Sequence, residues 1–582
     1  MAESINESQE SLQALARRYF RMLAEQFPVM CASDEFYFLP RAEEAGEHYD
    51  QIDRLGTDEV SQLLEELGRF RRELEQKTYG LAQPKRYRKG TSSNTPLLER
   101  SIDLELLKSS IAALRIEFEV NRSWIRNPLL YLKIAFIGLD HALNKPARDR
   151  KERLRRACDR LHAIPRLFEE AKRNLRNISG PYHHAALMMI EDCALFLQNT
   201  GMQYSDCREL IAALAGTAES LDAFHDFLKT SPQHREEPVS GAPMLEATLR
   251  EHFRYRGTVS EVYRIGLSDW EKNLASLKDI ERSMKGGRQW KELYDSYRPR
   301  GFRDTDTLSL YRQENNRLRT FFKTRGFPEF DAGAPVRIVE TPAYLRSVRG
   351  TASFAAAFSR DPREKSLFYI TASRVSGASN GTVRDRLHRE YRFLTAHETY
   401  PGHHLLDLAR RGLDSPIRRQ IESPLFYEGW ASYAESLLAE YGYLQDPLEH
   451  LVLHKRNLWR ASRCLVDVGL NTGMIDLEEA ERLLEKSGFS LEEARNQIRR
   501  FLLMPGYQLC YTLGTHEILK LRKRYGTLLS INRFHRIMLE GGELPFHLID
   551  KRFKNQFGTR TRFSDKRPSH GRENTKGGVP GE

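Results

Sequence analysis

Apolar residues recur at three- and four-residue intervals through most of the chain. Examples are SLQALARRYFRMLAEQF (11–27), EVSQLLEELGRFRRELEQ (59–76) and ARDRKERLRRACDRLHAIPRLFEEAKRNL (147–175), each with charged side chains on the opposite face. That period belongs to helices with one buried stripe, and it predicts a mainly α protein. It gives way once to three short β-branched or aromatic runs bounded by Gly, Pro or Ser: APVRIVETP (334–342), TASFAAAF (351–358) and SLFYITAS (366–373). These predict a small β-sheet immediately before the next helix. Two polar breaks interrupt the pattern, GLAQPKRYRKGTSSNTP (80–96) and the Pro-rich KTSPQHREEPVSGAP (229–243). Taking the second as a boundary predicts an N-terminal helical lobe over 1–240, a second lobe over 241–554 and a basic, disordered tail over 555–582.

The stretch VRDRLHREYRFLTAHETY (383–400) reads as one helix, with Leu387, Tyr391, Leu394, His397 and Glu398 near one stripe. It continues as PGHHLL. An H-E-x-x-H helix binds zinc through two histidines four apart and uses the glutamate to activate water. Here the position four after His397 is Pro401. On a regular helix His403 would lie about 240° round and about 9 Å along, and His404 about 10.5 Å along on nearly the same face. Neither fits a shared ion about 2.0 to 2.1 Å from each nitrogen. Pro401 and Gly402 favour a local bulge that brings His403 back beside His397. Alone, HETYPGHH reads equally as a metal site and as histidines at a helix end.

A second constellation follows. SPLFYEGWASYAESLLAEYG (423–442) has Ser423 as N-cap and Pro424 in the first turn. Glu428 and Glu435 share a face, with small Ala431 and Ser432 between them allowing close approach of another helix. A glutamate about thirty residues after an H-E pair is where a His/His/Glu zinc site takes its third ligand; a solvated carboxylate is the plainer alternative.

HETYPGHHLL, YEGWASYAE and PGYQLCYTLG (505–514), in this order and spacing, resemble the domain of unknown function 885 family, together with TVSEVYRIGLSDWEKNLASL upstream. The resemblance covers roughly residues 240 to 525. It implies a zincin-like, mainly helical metallopeptidase distantly similar to thimet oligopeptidase and angiotensin-converting enzyme. One Zn2+ per chain would be held by His397, His403 and Glu428, since the family places a glycine before its second histidine and Gly402 thereby selects His403 over His404. Glu398 would be the general base. In PGYQLCYTLG, Tyr511 suits an oxyanion donor opposite the metal, or a buried aromatic whose hydroxyl caps a backbone carbonyl. Tyr507, Gln508 and Glu435 receive no role.

The expectation is a peptidase acting on short peptides in a cleft between the lobes. Two alternatives stand beside it: a non-catalytic scaffold that keeps the fold, and a metal-dependent hydrolase of a non-peptide amide. Retention of Glu398 favours catalysis over the scaffold, and the strands before His397 favour a peptide.

Composition changes this little. The 582 residues carry a net charge of +11, but Lys and Arg alternate with acids on helix faces and no nucleic-acid reader motif accompanies them. No apolar run reaches the roughly 18 residues of a membrane span, and the polar N-terminus is unlike a secretory signal, so a cytoplasmic location is expected. Six scattered cysteines without C-x-x-C spacing read as reduced thiols. His183, His184 and Glu191 read as a helix start, and His516 and Glu517 as structural.

Overall fold

The computed structural model describes residues 2–82, 95–234, 241–284, 286–299, 306–330, 335–359, 361–371 and 380–557. Most of the 80–96 loop, part of the 229–243 connection and nearly all of the 555–582 tail lie outside the described residues. The predicted amphipathic stretches are helices: α1 (Ala2–Gln26), α2 (Thr57–Ala82), α3 (Thr95–Arg115), α4 (Pro128–Asn144), α5 (Arg150–Asn174), α6 (Gly180–Gln203), α7 (Arg208–Thr230), α8 (Val259–Ser283) and α9 (Thr307–Lys323). Local chemistry sets several starts. The Asp149 side chain accepts from Glu152 N at the head of α5, and Thr258 with Glu261 forms a reciprocal capping box on α8.

The three β-rich runs form one sheet of β1 (Arg337–Glu340), β2 (Ala352–Ala355) and β3 (Leu367–Ile370). Its order is β1-β3-β2, with β1 parallel and β2 antiparallel to the central β3. The sheet buries Ile338, Phe354, Phe368 and Ile370 against Tyr311, Leu387, Tyr391 and Leu394.

After the sheet come α10 (Asn380–Arg389), α11 (Tyr391–Glu398), α12 (His403–Arg411), α13 (Pro424–Glu440), α14 (Pro447–Thr472), α15 (Leu491–Leu502), α16 (Cys510–Tyr525) and α17 (Phe546–Phe557). The single helix expected over 383–400 is therefore two. It breaks at Glu390, whose carboxylate accepts from Tyr294 and pairs with Arg456 and Arg386. A buried charge with two tertiary partners, Tyr294 and Arg456, overrides a pattern that runs through the break.

One hydrophobic core runs from Leu12 to Phe553, across the boundary at 240. Ion pairs cross it too: Arg41 to Glu422 at 2.9 Å, Arg418 to Asp103 at 2.7 Å, Arg349 to Glu35 at 2.6 Å, and Lys145 to Glu364. All six cysteines are free thiols, five of them buried. No described helix is long and apolar enough to cross a membrane.

Candidate functional site

Between α11 and α12 the chain turns sharply instead of bulging within one helix. Thr399 ends α11 at φ −119°, ψ −108°, the Tyr400–Pro401 peptide is cis, and Gly402 precedes the first residue of α12. A Cβ on Gly402 would stand 2.0 Å from His397 O and 2.4 Å from Ala396 O, so only glycine lets the second helix start against the end of the first. Trp430 on α13 fastens the turn, its Nε1 donating to Pro401 O at 2.9 Å. His403 is thereby returned to His397, with ring centroids 4.7 Å apart and planes near perpendicular.

Both rings point at one oxygen. Nε2 of His397 lies 3.4 Å, and Nε2 of His403 3.7 Å, from Glu428 Oε2. Two donors about 2.05 Å from an ion at the tetrahedral angle stand roughly 3.4 Å apart, the spacing zinc requires. Glu428 Oε2 is buried without a hydrogen-bond partner, whereas its Oε1 accepts from both Tyr507 and Tyr511 at 2.7 Å. One carboxylate oxygen is thus held by the protein and the other aimed at two imidazoles, an arrangement that fits a divalent cation. Among the described residues, donor atoms of His397, Glu398 and His403 also come within 4.8 Å of one another, which places Glu398 at the same cluster. His404, one position on, packs its ring near Phe354 and lies outside this group.

The surrounding charges fix the rings. Glu435, seven residues after Glu428 on α13, places Oε1 3.0 Å from His397 Nδ1 and is bracketed by Arg456 and Arg460 from α14. The carboxylate thus sets the tautomer that points Nε2 inward. The two guanidiniums outweigh burial and hold Glu435 well below the usual carboxylate range. Burial opposes a charge on His397, yet the carboxylates of Glu428 and Glu435 beside its two nitrogens raise it to about 9. Burial dominates at His403 and lowers it to about 4, and burial raises Glu398 to about 7. His403 stacks face to face on Tyr427 at 3.7 Å.

Helix α16 reaches the site through a glycine crossing. A Cβ on Gly429 would meet Gly514 Cα at 2.5 Å, and one on Gly514 would meet Leu425 O at 2.2 Å. The α13–α16 contact is therefore tightest at Gly429, one residue after Glu428. Ser423 occupies the N-cap position of α13, but its hydroxyl makes no cap bond; its N–H donates to Glu543.

His397, Glu398, His403, Glu428, Tyr507 and Tyr511 line a cavity of about 710 Å³. Its walls come from the N-terminal half (Asp34, Tyr37, Glu117), from edge strand β2 (Ala352, Ser353, Phe354), and from α14, α15 and α16. Tyr427, Glu435's arginine partners and the carboxylate-holding role of Tyr507 escape sequence reasoning. Arg456 and Arg460, one helical turn apart on the buried face of α14, are the signal that was there to read. His183 on α6 donates from Nε2 to Leu228 O on α7, His516 is exposed, and Glu517 pairs with Lys520.

Fold and site together describe a mainly helical protein with a buried cluster of histidines and carboxylates opening on a large cleft. The sequence pattern of a family described as bacterial proteins of unknown function (DUF885) matches residues 40–553, and the chain belongs to that family. No curated protein matches it. Two solved structures share the fold: a candidate lipoprotein from Colwellia psychrerythraea (TM-score 0.73, 17% identity, covering 94% of this chain and 99% of that one) and a candidate lipoprotein of unknown function from Shewanella oneidensis (TM-score 0.64, 18% identity, covering 87% and 94%).

Proposed function

We propose that the protein is a zinc-dependent peptidase hydrolysing peptide bonds of short peptides. The observation that carries this reading is Glu428 Oε2, a buried carboxylate oxygen without a hydrogen-bond partner that faces the Nε2 atoms of both His397 and His403. Those three side chains would hold one Zn2+, which supplies the Lewis acidity that activates water and polarises a scissile carbonyl.

The chain's own groups do the rest. Glu398, directly after His397 and lining the same cavity, takes the proton of the attacking water and returns it to the leaving amine. Tyr507 and Tyr511 share one acceptor, Glu428 Oε1. One hydroxyl suffices to hold that oxygen, which leaves Tyr511 able to turn its donor to the oxyanion. Strand β2 is an edge strand lining the cavity, and its outer edge suits an extended peptide added as a further strand.

The test is metal analysis of purified protein beside a mixed-peptide digest read by mass spectrometry, with Glu398→Gln in parallel. The proposal expects zinc in both proteins and cleavage only by the wild type. Zinc without cleavage would favour a scaffold, and cleavage confined to non-peptide amides the other hydrolase.

A further inference from the structure

Arg463 differs from four other arginines of the cleft. Arg349, Arg386, Arg456 and Arg460 are each paired with a carboxylate. Arg463 lines the same cavity and, among the described residues, makes no contact ion pair with a carboxylate, its nearest acidic influence being Asp467 one turn along α14. Its Nε and one terminal nitrogen both donate to Gln508 Oε1, at 2.9 and 2.5 Å. Its guanidinium carbon lies 3.9 Å from the Tyr511 ring centroid and 4.8 Å from that of Trp459. Aromatic faces on a guanidinium hold its plane and leave its edge to a partner.

The mount is itself built. Asp467 on α14 accepts from Gly506 N at 2.8 Å and from Gln508 N at 2.9 Å, which fixes the loop carrying Gln508. Gln508 offers only a neutral oxygen, so it orients Arg463 without neutralising it. The cation is also close to the chemistry, because the Tyr511 ring that it covers ends in the hydroxyl bound to Glu428.

We propose that Arg463 receives the C-terminal carboxylate of the substrate, so that the protein removes one or two residues from the C-terminus of a peptide. This rests on the peptidase reading above and goes beyond it. A carboxylate matches the guanidinium fork in charge and geometry. The path from Arg463 across the Tyr511 ring to Glu428 is of the order of one or two residues at a backbone rise of about 3.3 to 3.6 Å, which sets the scissile bond one or two residues back from that anchor. An internal chain segment carries no such charge and gains nothing there.

The experiment compares N-acetylated tetraalanine as free acid and as C-terminal amide, with wild type, Arg463→Met and Arg463→Lys. Wild type should cleave the acid roughly a hundredfold more efficiently than the amide, the scale of losing one partner of a desolvated charge pair. In Arg463→Met the acid-to-amide ratio should fall close to one, and in Arg463→Lys it should be partly kept. The ratio is internal to each protein and so is insensitive to the folded fraction. Calorimetric binding to metal-free wild type should likewise favour the acid. Equal cleavage of both peptides by wild type, or an undiminished ratio in Arg463→Met, overturns the anchor while leaving peptidase activity standing. Absence of cleavage of every peptide by zinc-loaded wild type overturns the peptidase reading and the anchor with it.

Discussion

Glu428 is the residue on which the site turns, and its two oxygens divide the work. Oε1 is held by two phenols and Oε2 faces two imidazoles. Duplicate phenols give Tyr511 a sharp test. In Tyr511→Phe, Tyr507 still holds Oε1, so zinc content should stay unchanged while kcat falls by about 10²- to 10³-fold, the usual cost of one oxyanion donor. Unchanged kcat with normal zinc would reduce Tyr511 to holding the carboxylate. That His397, Glu398, His403 and Glu428 meet was legible because each lies in a short motif whose spacing limits what the side chains can reach, whereas the shared bond of Tyr507 and Tyr511 to Glu428 was not, the sequence offering Tyr511 only an oxyanion or a backbone carbonyl and Tyr507 no role. Glu435 was visible as a neighbour of Glu428 on one face but not as the partner of His397, because Arg456 and Arg460, which make its burial tolerable, arrive from another helix.

At the scale of elements, helices and strands were legible where their period is local. The runs around Ile338, Phe354 and Phe368 became three strands of one sheet. The break at Glu390 was not legible, since apolar spacing continues from Leu387 to Leu394 and only the distant Tyr294 and Arg456 reveal it. Nor does spacing alone distinguish a bulge from the two helices joined at Gly402. That junction makes a prediction. Gly402→Ala forces a methyl group to within 2.0 Å of His397 O, so urea unfolding should show a loss of about 3 kcal/mol, the upper range for overpacking. The same variant should lose zinc, because α12 must shift and carry His403 away. Wild-type stability and zinc content in this variant would mean that the turn tolerates more room than its contacts indicate.

Over the whole molecule, the two halves share a core and charged links, none of which amphipathic periodicity could foretell. Glu364 illustrates their pH dependence. Burial would raise its proton affinity, but Lys145 from the N-terminal half, with backbone donors, holds it down to about 2. A carboxylate depressed below its unfolded value of about 4.3 stabilises the fold above that pH, and the contribution disappears as pH falls towards 2. Lys145→Met strands the buried carboxylate and should cost about 3 kcal/mol at pH 7. The gap from wild type, read as urea midpoints, should narrow as pH falls below about 4.5. A gap independent of pH would show that Lys145 acts by packing alone.

The metal centre itself is tested most directly by zinc stoichiometry after dialysis, measured by plasma mass spectrometry on folded wild type, His397→Ala, His403→Ala, His404→Ala and Glu428→Gln. About one zinc per chain is expected in wild type and in His404→Ala, with loss in the other three. Full occupancy in His403→Ala together with loss in His404→Ala, or no zinc in wild type after reconstitution, would contradict the proposed centre.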